Sequence, residues 1–388
     1  MIFKNKSFVS ACLGLFIAGN VFVSFGTLSV YLKNRFLLDD LSMGSLSAVL
    51  SFGILMGSIV FGPIVDRYGY KLLTIISTLI IVSGFELIAA GDSLLLIYIA
   101  FILLGIGGGI INGSTTALVA DISQEEKGAN LSLLHAFYGM GALCMPFATG
   151  FLHNYITFER IFFYFGIVIL LSILFYMQIT FPKPKQPHGL PWKKVLTLLK
   201  ETPLLFFSFF LFLQSGIEVI INNWTLQYIQ NKYVLEMSNL IYVLSFYAIG
   251  IIIVRLSFRI LLRKSKPVTI LLISLCISLS GVFVLWFSAE YLFLLIGIFL
   301  VGIGFASIFP IMLAFISEKY SDLSGTALGI AFLFALSGSV TFNLFMGMIS
   351  KTFGINKYPL ILSIVIVFLI LLVTKISKLN NKVRKVSF

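Results

Sequence analysis

Glu218 is the residue whose type and setting most need a chemical account. It stands halfway along an apolar run from 204 to 230, where no water solvates an ionised carboxylate. A charge at that depth costs a few kcal/mol on insertion scales, so by default it turns toward the protein interior and marks a pathway. Gln214, Asn222 and Thr225 join it in one polar stripe: at about 100° per residue the four lie within about 80° of one another. Asn223 falls on the opposite side. The stripe either lines a path or supplies hydrogen bonds to a neighbouring helix.

The first apolar run repeats the pattern with Asn20, Ser24, Thr27 and Tyr31, within about 60° on one face. The expectation is that these two stripes face each other across a cavity. Amides and hydroxyls suit a solute rich in hydroxyl groups, which both donate and accept, and Trp224 or Tyr31 has an aromatic face for the apolar side of a ring. Asn20, Tyr31, Asn112, Asn222 and Trp224 are therefore the candidate substrate contacts, with Glu218 as the ion-coupling group. His135 either shares the coupling, since an imidazole titrates near neutral pH, or satisfies a neighbouring carbonyl. Arg255 is either a cavity charge or an anchor that snorkels to the surface. Glu86 is the other membrane-embedded acid, near one end of its run.

The elements that must position these groups are membrane spans. The chain is 59% hydrophobic and 11% charged over 388 residues, too apolar for a water-facing surface. About 20 apolar residues cross roughly 30 Å of hydrocarbon as a helix, because lipid offers free backbone groups no partner. Twelve runs qualify, near 8–32, 43–65, 71–90, 94–120, 129–152, 160–181, 204–230, 238–262, 267–288, 292–316, 323–350 and 357–375. Of the 27 lysines and arginines, all but Lys33, Arg35, Arg160, Lys232, Lys351 and Lys357 fall on one side. That bias puts both termini in the cytoplasm and accounts for the net charge of +12 without nucleic acid as a partner.

Short loops leave one long connection, Pro182 to Pro203, at the midpoint of the twelve spans. The expected organisation is a six-helix bundle over 1–181, a cytoplasmic linker over 182–203 and a second six-helix bundle over 204–388. Within the linker, Trp192 to Leu199 either forms a basic amphipathic helix on the membrane surface or merely supplies positive charge. Cys12, Cys144 and Cys276 lie within spans without CxxC spacing, which points to packing rather than disulfides or metal. The glycine run from Gly105 to Gly109 lacks the Lys-Ser/Thr of a phosphate loop. With Gly113 it supplies a small-residue face for close helix packing. No zinc-protease, nucleophile-elbow or ATP-binding signature occurs, and this excludes the familiar enzyme classes.

Between spans two and three the chain reads Gly62-Pro63-Ile64-Val65-Asp66-Arg67-Tyr68-Gly69-Tyr70-Lys71. This resembles the GxxxDRxGxK signature of the major facilitator superfamily, with Tyr70 and Leu72 where further basic residues are usual. The resemblance implies that Asp66 and Arg67 form a cytoplasmic gate, Asp66 capping span eleven near Leu323 to Gly325. A wider set, Asn112 to Asp121, Leu134 to Gly139 with Pro146, Gly216-Ile217-Glu218 with Trp224 and Tyr228, Arg255, and Gly302, Gly304, Phe309 and Pro310, resembles the fucose–galactose–glucose:cation symporter family. That resemblance implies a sugar or polyol carried with a cation. Gly26 and Asn112 stand where acidic residues of that family occur in spans one and four, which moves attention to Glu218.

The expected protein is an all-α membrane protein of twelve helices in two pseudosymmetric six-helix bundles, located in a bacterial inner membrane. It takes up a small solute, sugar-like in its chemistry, by alternating access, driven by a proton or sodium gradient and without a cofactor. One chain has spans enough for a complete path, so a monomer in the lipid bilayer is the expected working unit. An exporter of amphipathic compounds is the competing reading, since the 40 phenylalanines suit a greasy cavity as well as they suit lipid.

Overall fold

The computed structural model describes residues 5–123, 127–182, 197–198, 200–288, 290–320 and 324–386. Six helices make the first half: α1 (Lys6–Arg35), α2 (Asp40–Tyr68), α3 (Tyr70–Ala90), α4 (Leu94–Ile122), α5 (Lys127–Leu152) and α6 (Phe158–Gln178). The second half contains α7 (Thr202–Lys232), α8 (Met237–Lys264), α9 (Pro267–Phe287), α10 (Tyr291–Phe305), α11 (Ile308–Lys319), α12 (Ser324–Phe353) and α13 (Tyr358–Val386). Local chemistry sets their starts. Asn5 accepts from the Ser7 N–H at 2.9 Å to cap α1, and Asp39 accepts from the Ser42 N–H at 2.9 Å to cap α2. Pro203 and Pro267 occupy the first turns of α7 and α9, where a missing N–H costs nothing. Gly69, at φ 81°, turns the chain sharply from α2 into α3. The 30 residues of α1 make a rod of about 45 Å, longer than the roughly 30 Å hydrocarbon core, so its ends reach the interfaces.

Eleven crossings among the described residues are long and apolar enough to span a membrane. The twelfth is α5, whose apolar character is diluted by Asn130, His135 and Pro146. Span ten departs from the single run expected over 292–316: it is broken between α10 and α11 at Ala306–Ser307. Pro310 explains the break, because it has no N–H for the carbonyl four residues back, that of Ala306, and its ring crowds it. Ser307 shares a 2.6 Å hydroxyl hydrogen bond with Ser274 of α9, which fastens the broken point to its neighbour. The linker from 183 to 196 and Leu199 lie outside the described residues, and with them most of the amphipathic helix expected over Trp192 to Leu199.

The two halves repeat each other in packing. In the first, α1 packs on α5, α2 and α3 on α4, and α3 on α6; in the second, α7 packs on α12, α8 and α9 on α10, and α9 on α13. Close backbone approach makes these contacts, and the glycines that permit it recur at one spacing: Gly53 with Gly250, Gly84 with Gly281, Gly105 with Gly302, Gly107 with Gly304, and Gly141 with Gly338. A Cβ on Gly105 would overlap the Leu50 carbonyl, and one on Gly302 the Tyr247 carbonyl at the matching place. The small-residue face expected at Gly105 and Gly109 is therefore the seam of α4 with α2, while Gly113 meets the Phe61 ring.

The halves meet through α1 with α7, α2 with α12, and α5 with α8. At the end carrying the α1–α2 connection, the first-loop end, Gly44 faces Gly347 and Gly150 faces the Ser238 carbonyl. The same end holds ion pairs of Asp39 with Lys351 at 2.9 Å and of Asp40 with Lys33, and Ser350 hydrogen-bonds Asp40.

Candidate functional site

Glu218 and Asn222 of α7 border a small cavity between the halves. Its other walls are Val23 of α1, Tyr138, Gly139 and Ala142 of α5, and Leu244, Tyr247, Ala248 and Ile251 of α8. It has room for about one water, too little for a solute in this conformation. The Glu218 Oε2 accepts a 2.8 Å hydrogen bond from Gln214 Nε2, and Asn222 Nδ2 donates to the Glu218 carbonyl at 3.0 Å. These i, i+4 contacts fix both side chains on the predicted face of α7.

Arg255 of α8 reaches across to the other half. Its Nη1 donates to the His135 carbonyl at 3.4 Å, and its Cζ sits 5.8 Å from the centroid of the Tyr138 ring. Glu218 and Arg255 are in electrostatic reach of each other, and both act on Tyr138 and Tyr247. His135 also lies in the field of Arg255. A carboxylate, two phenols and an amide thus border the cavity at the junction of α5, α7 and α8, with the Arg255 guanidinium beside the Tyr138 ring. Such a set hydrogen-bonds hydroxyls, and a proton gained or lost by Glu218 changes its net charge by one in a poorly solvated space. Arg255 is half-buried and stands beside the cavity without lining it.

Other candidates lie elsewhere. Gly26 of α1 is the contact with α7: a Cβ there would overlap the Asn222 carbonyl, so no acid fits at that position in this state. The polar stripe of α1 does not face that of α7; α1 presents Val23 to the cavity. Asn20 Nδ2 donates to the Phe16 carbonyl at 2.8 Å, Ser24 to Val21 and Thr27 to Val23, each donor bonded within its own helix and buried, while Asn20 Oδ1 has no partner among the described residues. Tyr31 hydrogen-bonds Glu159 and Arg35 and stacks on Phe158, within the first half and toward the first-loop end. Trp224 is fully buried and donates to Asn343 Oδ1 at 3.4 Å. Asn112 is half-buried on α4 away from the cavity lining, and Glu86 lies against Gly166 of α6. Reading the sequence passed over Asn343, Tyr247 and Asn223. The first two are polar groups inside apolar runs, the same signal that singled out Glu218. Asn223 was set aside for facing away from the stripe, and there it donates to Asn343 at 3.2 Å.

The architecture and the central polar cavity agree with a family match. The model of the Major Facilitator Superfamily matches residues 11–341. The chain belongs to that superfamily. It is a multi-pass transporter and not an enzyme. The glucose/mannose transporter GlcP of Bacillus subtilis (strain 168) is 26% identical over 328 residues, 79% of each chain. Multidrug resistance protein 1 of the same organism is 25% identical over 346 residues, 87% of this chain and 88% of its own. Among solved structures, the nucleoside transporter NupG superposes with a TM-score of 0.80 at 12% identity, covering 95% of this chain and 99% of its own; that likeness is one of fold.

The superfamily signature falls at the turn from α2 to α3. The side chains of Asp66 and Arg67, Leu323 itself and the side chain of Ser324 lie outside the described residues, and with them the cap expected of Asp66. At the start of α3, Tyr70, in place of a basic residue, donates to Asp121 at the end of α4 at 2.5 Å, and Lys71 donates to the Met177 carbonyl of α6 at 2.6 Å. A phenol and a lysine thus tie α3 to α4 and α6 at this end of the first superfamily half.

Proposed function

We propose that this superfamily member takes up a sugar or sugar-like solute by alternating access, coupled to a proton or sodium gradient. The observation that carries the reading is the Glu218 carboxylate on a small cavity at the junction of the halves, beside Asn222, Tyr138 and Tyr247. Similarity to a glucose/mannose transporter, GlcP, supports the substrate class, and the hydroxyl and amide lining suits a polyhydroxylated solute. In this reading residues 1–181 and 204–388 rock about the cavity as two units joined by 182–203. Both termini are cytoplasmic in a bacterial inner membrane, the first-loop end is the outer one, and the chain works as a monomer with no cofactor.

Counterflow in proteoliposomes tests it: vesicles preloaded with unlabelled hexoses and polyols, labelled members entering, external pH and sodium varied. Exchange of one sugar supports the reading, and its pH or sodium dependence names the ion. Glu218→Gln is expected to abolish accumulation against a gradient while equilibrating exchange survives; undiminished accumulation would remove Glu218 from coupling. The similarity to multidrug resistance protein 1 favours a second reading, export of amphipathic compounds. Failure of every sugar together with gradient-driven extrusion of a lipophilic cation would establish that one.

A further inference from the structure

We infer that Tyr247 is a specificity-determining residue, whose phenol hydroxyl takes one hydroxyl group of the transported solute; the inference rests on the sugar reading. Tyr247 lines the cavity beside Glu218 and is 2% exposed, and its hydroxyl has no hydrogen-bond partner in the protein. A buried phenol that packing alone required would gain nothing from an unpaired oxygen.

The repeat between halves makes that point from inside the same molecule. The Tyr247 carbonyl abuts Gly302 as the Leu50 carbonyl abuts Gly105, and around them Gly250 meets the Phe299 carbonyl as Gly53 meets that of Ile102. Tyr247 and Leu50 are therefore structural counterparts. Leu50 fills its position 1% exposed without any polar atom in its side chain. Packing of α8 on α10, like that of α2 on α4, needs an apolar side chain and a free approach to glycine. The hydroxyl is an addition made in the second half only, on the side where Glu218, Asn222 and Arg255 also stand. Arg255 is itself set at the place where the first half has Ser58. The second half thus holds most of the polar contacts, and Tyr247 aims its oxygen among them.

The test is counterflow of glucose and its monodeoxy analogues by the unaltered protein, by Tyr247→Phe and by Tyr176→Phe. Tyr176 is a control because it is also a fully buried tyrosine, on α6 and outside the cavity lining. Tyr247→Phe should raise KM for the transported sugar by about 3- to 10-fold, the worth of one neutral hydrogen bond. One deoxy analogue should be about equally poor for both the unaltered protein and Tyr247→Phe, since the lost partner is then missing on either side; the other analogues should fall in parallel. Tyr176→Phe should leave KM unchanged. An unchanged KM with an unchanged analogue profile in Tyr247→Phe would overturn the inference while leaving the sugar reading intact. A loss of rate shared by all analogues would overturn it in favour of a positioning role. No exchange by the unaltered protein of glucose or of any other hexose or polyol of the panel would defeat the sugar reading, and this inference with it.

Discussion

Asn343 joins three helices at a single side chain. Its Oδ1 accepts from Asn223 at 3.2 Å and from the Trp224 indole at 3.4 Å, and its Nδ2 donates to Ser51 Oγ at 2.9 Å, from α12 to α7 and to α2 of the other half. All four residues are buried. In water-excluded packing each lost partner leaves a polar group unpaired, but inter-helix hydrogen bonds in membranes average only about 0.6 kcal/mol. Asn343→Leu is therefore expected to cost about 2 kcal/mol of stability in detergent, and Ser51→Ala well under 1 kcal/mol, as read by thermal unfolding. Equal costs would show that Ser51 and not the α7 pair carries the node. Trp224→Phe should act on stability through the same node and leave the KM of the transported solute unchanged. Trp224 shows what angular spacing cannot reveal: an aromatic residue near the stripe of α7 is a plausible ring platform by spacing, yet its indole N–H is spent on Asn343.

At the scale of helices, the glycine seams make a sharp contrast. Gly105→Ala and Gly302→Ala would each drive a methyl into a backbone carbonyl, of Leu50 and Tyr247, while a Cβ on Gly329 in α12 meets nothing within 4 Å. The first two should each lose about 1–3 kcal/mol from overpacking, and Gly329→Ala should gain up to about 1 kcal/mol from helix propensity. Thermal unfolding of the three variants in one detergent checks this, and similar melting points would remove the seams as the basis of the repeat. The length and apolar character of the spans were legible in the sequence because the bilayer imposes both. The break in span ten was not, although Pro310 was in view, since Pro146 sits inside an unbroken α5. The repeat was expected from the six spans on either side of the linker, but the equally spaced glycines that carry it show only once the seams are in view, because the side chains between them answer to different neighbours. Of the α7 stripe Glu218 and Asn222 border the cavity while Thr225 bonds Tyr358, and none of the α1 stripe borders it: serine, threonine and asparagine on a buried helix can bond their own carbonyls three or four residues back, and Asn20, Ser24 and Thr27 do.

The molecule as a whole is closed at the first-loop end by contacts that cross between halves, and their electrostatics sets where pH can act. The Asp39 carboxyl is held well below the usual carboxylate range, first by its hydrogen bonds with Ser42 and then by Lys351. A depressed value means that its contribution to the closed end is complete above the ordinary carboxylate pKa and is lost only as pH falls through the lowered one. Asp39 is half exposed, so the pair is a weak clasp and not a stability element. Between about pH 6 and 8 Asp39 stays charged throughout, so this clasp is not the source of a change in transport over that range, and Glu218 on the cavity is the group expected to respond. Asp39→Asn keeps a capping side chain for α2 but loses the charge pair with Lys351. It should make a single cysteine at Ser238, on a cysteine-free background, react faster with an impermeant maleimide, because the first-loop end opens more often. The same variant should retain the neutral-range pH dependence of exchange in full, whereas Glu218→Gln should flatten it with Ser238 labelling unaltered at rest. If Asp39→Asn removed the pH dependence, the proton would be sensed at the first-loop clasp and the central carboxylate would be left with substrate binding alone.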